Sequence, residues 1–80
     1  MEKEEVKSRV KKVVANVLKI DQSEVEDDAN FIFDLGADSV QSIQLVAAFE
    51  EEFDIEMDED GAVAVQTISG AVDFIASYVN

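Results

Sequence analysis

The sequence predicts an all-α fold: a four-helix bundle with a long first connection and a short third helix. Two observations predict it. Apolar residues recur at helical spacing in three separate stretches, each of which would form one apolar stripe. Cap-type residues stand where the stretches begin: Asp38 with Gln41 three residues on, and Thr67 or Ser69 near the last. No internal repeat or low-complexity linker divides the chain, so residues 1–80 are expected to form one domain.

The first helix is expected from Lys3 to Lys19, with Val6, Val10, Val13, Val14, Val17 and Leu18 as its stripe. Glu2, Glu4 and Glu5 suit the positive end of its dipole, and Lys11, Lys12 and Lys19 lie toward the negative end. A long connection follows, from Ile20 to Asp38. Asp21 with Glu24 reads as a capping box for one short helical turn. Val25, Phe31, Ile32, Phe33 and Leu35 are expected to pin this loop to the core, which argues against disorder.

The second helix is expected from Ser39 to Phe53. Leu45, Val46, Phe49 and Phe53 form its core stripe. Val40, Ile43 and Ala47 form a second stripe, flanked by Gln44, Glu50 and Glu51. A helix in so small a domain rarely buries two faces, so this second stripe is a candidate contact surface; Ile43 fits the core edge equally well. Gly61 and the two valines Val63 and Val65 make the next segment a weak helix former, and a short, mobile third helix is expected there. The last helix runs from Ile68 to Val79 along Ile68, Ala71, Val72, Ile75, Ala76 and Val79. Gly70 inside it costs about 1 kcal/mol relative to Ala, which suggests close packing or mere drift.

Composition narrows the function. Eighty residues allow one modest core and no deep internal active site. There is no Cys, hence no disulfide and no thiolate nucleophile. There is no His, so the commonest general base is missing and a Ser-His-Asp arrangement cannot be built. No apolar run suits a signal peptide or a membrane span, so a cytoplasmic location is expected. The net charge is -13, and all six bases lie in the first nineteen residues. From Ile20 onward there are sixteen acids and no base. Nucleic acid and anionic membrane are poor partners for such a surface, and basic protein surfaces are good ones. A monomer is expected.

Two motifs compete. Glu56, Asp58, Asp60, Gly61 and Val63 follow part of a calcium-loop spacing, but its twelfth position is Thr67 where a bidentate Glu belongs. Weak divalent binding at Glu56, Asp58 and Asp60 is the most this run supports, and an acidic calcium-responsive module is the alternative reading. The same carboxylates could pair for acid–base chemistry, but a run with no pocket reads as a solvated face. The second motif is Asp34-Leu35-Gly36-Ala37-Asp38-Ser39, which leads into a helix. A phosphate on Ser39 would meet the positive end of that helix and its unpaired N–H groups. On Ser39 alone, an ordinary capping serine is the better reading.

The longer string changes that balance. Asp34-Leu35-Gly36-Ala37-Asp38-Ser39-Val40, followed by Leu45-Val46 and Phe49-Glu50-Glu51-Glu52-Phe53, resembles the acyl carrier protein family over nearly the whole chain. The free-standing carriers of bacterial fatty-acid synthesis are the better match within it. The resemblance implies a carrier and not an enzyme. It implies that a phosphopantetheinyl transferase links 4'-phosphopantetheine from coenzyme A to Ser39, flanked by Asp38 and Val40. The thiol of that arm would hold an acyl chain as a thioester. Phe31, Leu45, Val46, Val65 and Ile68 are then the candidate lining for the acyl chain. Gln41, Ile43, Gln44, Ala47, Glu50 and Glu51 are the candidate face for acyl-processing enzymes with basic docking surfaces.

The chain departs from the family pattern at several positions. Val40 stands where Leu is usual. Gln41 and Gln44 stand where acids are usual, and Phe33 stands where a polar or acidic residue is usual. Ala47 is small where a larger apolar residue is common. Exposed ion pairs contribute only about 0–1 kcal/mol each, yet several together can shift partner choice. These departures suggest a specialised carrier serving a dedicated pathway, weighed against neutral drift in a housekeeping one.

Overall fold

The structure, a computed structural model, describes residues 2–79, apart from the side chains of Glu59 and Val63. Helix α1 spans Lys3–Leu18, α2 Ser39–Phe53, α3 Glu59–Ala64 and α4 Ile68–Val79. One 3-10 turn, Gln22–Glu24, lies in the first connection. No strand forms among the described residues. The protein is the all-α bundle that the apolar spacing predicts, with the third helix the shortest.

Helix α1 is the centre of the packing and touches both α2 and α4. Val6, Val10, Val13 and Val14 are buried on one stripe, joined by Ala15. Val17 and Leu18 are only partly buried, because the helix ends at Leu18 and the chain turns away at Lys19, which is left-handed (φ 58°). The last turn of α1 carries no base. Lys11, expected to serve the dipole there, pairs with Asp27 at 2.6 Å.

Facing α1 are Leu45, Phe49 and Phe53 of α2 and Ile68, Ala71, Val72 and Ile75 of α4. Val46 is half-buried, off the centre of the stripe. Burying a side chain of this class contributes about 1.5–3 kcal/mol, so these few positions hold most of the driving force. Arg9 ties α1 to the end of α2. Its guanidinium donates to the Glu52 carboxylate (2.7 Å) and the Glu52 carbonyl (2.9 Å), and lies 5.1 Å from the Phe53 ring centre.

Helix α3 overcomes poor propensity through local partners. Asp58 caps it, accepting from the Gly61 N–H at 3.1 Å. Ala62 is buried beneath it. The Tyr78 hydroxyl accepts from the Asp58 N–H at 2.9 Å, and Tyr78 sits edge-on to Phe74 with ring centres 5.3 Å apart. A Cβ on Gly61 would stand 2.9 Å from the Phe74 ring, so the absent side chain lets α3 lie against α4. Thr67 supplies the cap of α4, its Oγ1 accepting from the Gly70 N–H at 3.1 Å. A Cβ on Gly70 would meet that same Oγ1 at 3.1 Å, in keeping with the close packing its position suggests.

Candidate functional site

The long first connection has little regular structure, yet its backbone is extensively bonded. Glu24 accepts from the Asp21 N–H (3.1 Å), which sets the 3-10 turn. The loop is then tied to the start of α4. Ser69 and Ile68 donate to the carbonyls of Asp27 and Ala29, and Phe31 donates to Gln66, all within 2.8–3.0 Å. Val25, Ala29 and Phe31 drop into the core at these points.

Asn30 organises the turn that leads to Ser39. Its Oδ1 accepts from the N–H groups of both Ile32 (2.9 Å) and Phe33 (3.0 Å), an Asx turn. Its own N–H donates to Asp34 Oδ2 at 2.7 Å. Gly36 closes the turn at φ 75°, where an L side chain is strained. The Gly36 and Ala37 N–H groups reach back to the carbonyls of Ile32 (3.1 Å) and Phe31 (2.8 Å).

This turn corrects one expectation. Ile32 and Phe33 do not pin the loop to the core: they are 55% and 87% exposed. The Asx turn reverses the chain right after Phe31, so only Phe31 and the half-buried Leu35 point inward. Asn30 just before the apolar run is the sequence signal for that reversal.

Ser39 is the first residue of α2 and is exposed. Asp38 caps the helix: its Oδ1 accepts from Gln41 N–H (2.8 Å), and Gln41 Oε1 accepts from Asp38 N–H (3.2 Å). Ser42 donates its hydroxyl to the Asp38 carbonyl at 3.0 Å. The Ser39 hydroxyl has no hydrogen bond among the described residues. The first turn of α2 itself holds no acid, so the positive end of its dipole is offset only by the capping Asp38.

Along α2 the second stripe faces outward, with Val40 63% and Ile43 70% exposed. Gln44, Ala47 and Glu51 are exposed beside it. Gln41 is taken up by the capping box, and Glu50 accepts from the Met57 N–H at 2.8 Å. Of the candidate acyl lining, Phe31, Leu45 and Ile68 are buried and Val65 is half-buried against the core, while Val46 is half-buried away from it. In the acidic run Glu56, Asp58 and Asp60 are exposed. The partial calcium-loop spacing coincides with two helix caps, Asp58 and Thr67; its eighth position, Val63, lies outside the described side chains.

Fold and site define a class: a small helical protein that presents an exposed serine at the start of its second helix. Residues 8–75 match the family model described as phosphopantetheine attachment site, and the chain belongs to that family. It is a carrier of covalently attached 4'-phosphopantetheine and not a catalyst. The residues at the start of α2 fit a phosphodiester: an exposed hydroxyl, helix N–H groups without intrahelical partners, and open space where a Gly36 side chain would stand. When bound, the group supplies a flexible tether ending in the thiol that this Cys-free chain does not contain. Among the described residues, no helix is long and apolar enough to cross a membrane.

Proposed function

We propose that Ser39 carries the arm and that the protein presents acyl thioesters to enzymes of fatty-acid, lipid or related acyl-chain biosynthesis. The observation that carries this reading is the exposed Ser39 hydroxyl at the first position of α2, inside the family match. Ser42, the nearest other serine, is engaged: it donates to the Asp38 carbonyl. A phosphopantetheinyl transferase is the first partner, and acyl-processing enzymes with basic docking surfaces are the others. Their contact face is narrower than the sequence suggests. Val40, Ile43, Gln44, Ala47 and Glu51 face outward, whereas Gln41 and Glu50 hold the backbone. Phe31, Leu45, Val46, Val65 and Ile68 remain the proposed lining for the acyl chain, reached by displacing the half-buried pair. A cytoplasmic monomer belongs to the same reading.

The test is intact mass after incubation with coenzyme A and a broad-specificity phosphopantetheinyl transferase. The wild type is expected to gain one phosphopantetheine and Ser39→Ala none. A gain in the Ser39→Ala chain would overturn the assignment. We further propose that this carrier serves a dedicated pathway, because Gln41 and Gln44 stand where the family pattern has acids and Phe33 where it has a polar or acidic residue. Slower elongation than on an ordinary carrier by standard synthase enzymes is expected; equal rates would reject the idea.

A further inference from the structure

We infer that Ile32 and Phe33 form a pre-set apolar anchor that seats in an apolar socket, rimmed by basic residues, on a protein that handles the carrier's load. The inference rests on the carrier reading above. Single exposed apolar side chains are ordinary on any protein. These two differ in how they are held. They are sequence neighbours at the tip of one turn, 55% and 87% exposed. Asn30 Oδ1 takes both of their N–H groups, and the Ile32 carbonyl takes the Gly36 N–H. The tip is therefore fixed by its backbone, and the side chains are left outward. An aromatic ring presented on a fixed backbone loses little freedom when it docks, which is what makes such residues strong anchors.

The tip is also tied to the segment that leads into the site. The Ile32–Gly36 hydrogen bond ties it three residues ahead of Ser39. On the other side of Ser39, Val40 and Ile43 stand one turn apart on the same face of α2, 63% and 70% exposed. Apolar surface thus flanks the attachment position on both sides. The charge around it selects the occupant. Asp28, Asp34 and Asp38 are exposed with no ion pair among the described residues, and no base follows Lys19. A surface this acidic opposes a second copy of the chain or an anionic lipid, and attracts a basic rim.

The experiment places a benzophenone amino acid at position 33 of the full-length holo-protein, with exposed Gln22 as the control position, in an extract of its native cells. The protein crosslinked only from position 33 is then made recombinantly, and its affinity for the carrier is measured by calorimetry. Phe33→Glu is expected to weaken binding about thirty-fold or more, and Phe33→Leu to stay within about three-fold. Both variants are expected to keep the wild-type helix content, since the ring is exposed. Affinity within about three-fold for Phe33→Glu overturns the anchor. So does a crosslink made only to another copy or to lipid, or none specific to position 33. The same samples are weighed after transferase treatment. Arm gained by wild type and Phe33→Glu, with affinity unchanged, sinks the anchor alone; no arm on the wild type sinks the carrier assignment with it.

Discussion

Gly36 shows how one residue sets the site. Its φ of 75° turns the chain two residues before Asp38, the cap of α2. A Cβ there would meet nothing within 4 Å, so the cost of a side chain is backbone strain alone. Gly36→Ala is expected to lose about 1 kcal/mol, and Gly36→Asn less, because Asn tolerates this region. In a domain of this size that is a fall in Tm of about 4–8 °C by thermal melting. Gly61 is the opposite case. Its φ is unremarkable, and what it provides is room for the Phe74 ring, 2.9 Å from where its Cβ would be. The two glycines look alike in sequence, and only the fold distinguishes strain from space.

The elements divide by how much of their order is local. The three long helices were legible because period and caps agree: Asp38 with Gln41 fixes the first residue of α2 as predicted. The string proposed as the attachment motif stands out in the sequence, and its serine lies exposed at a helix start. The loop tip was not legible. Apolar residues at positions 31 to 33 suggest three anchors, but burial there is decided by an Asx turn of Asn30 that competes with hydrophobic pattern. The pairing of Tyr78 with Asp58 was equally hidden, since twenty residues separate them. That pairing holds α3 at its entrance. Tyr78→Phe leaves the Asp58 N–H without its acceptor while keeping the ring stack. A loss of about 0.5–1.5 kcal/mol is expected. Faster hydrogen exchange confined to Asp58 and α3 would show it, and unchanged exchange would assign the helix's hold to Ala62 and Phe74 instead.

Across the whole molecule, four of the five bases of α1 pair with particular acids. Lys3 pairs with Asp73 of α4, Arg9 with Glu52 of α2, and Lys7 and Lys11 with Asp27 of the loop. Hydrogen bonds from Lys11 and then Lys7 hold the Asp27 carboxyl below its ordinary range, and the bond to Asp27 raises Lys7 above its own. The stabilisation from Asp27 is therefore present above the usual carboxylate range and lost as pH falls through its lowered value. That from Lys7 is present below the usual lysine range and lost as pH rises through its raised value. Asp27→Asn is expected to melt below the wild type by a constant interval from neutral to mildly basic pH. The interval is expected to close in acid, below about pH 4. An interval that persists in strong acid would show that the Asp27 side chain acts through something other than its charge, since Asp27→Asn keeps the backbone bond from Ser69.

The Asx turn separates two jobs that usually compete. Because Asn30, Asp34 and main-chain bonds define its shape, the side chains at positions 32 and 33 are not needed to make it. Those two positions can be exchanged with little penalty to folding, like the cut of a key on a fixed blank. A lineage could therefore re-address its carrier by point changes at the tip, and a designer could do the same, without re-solving the bundle beneath.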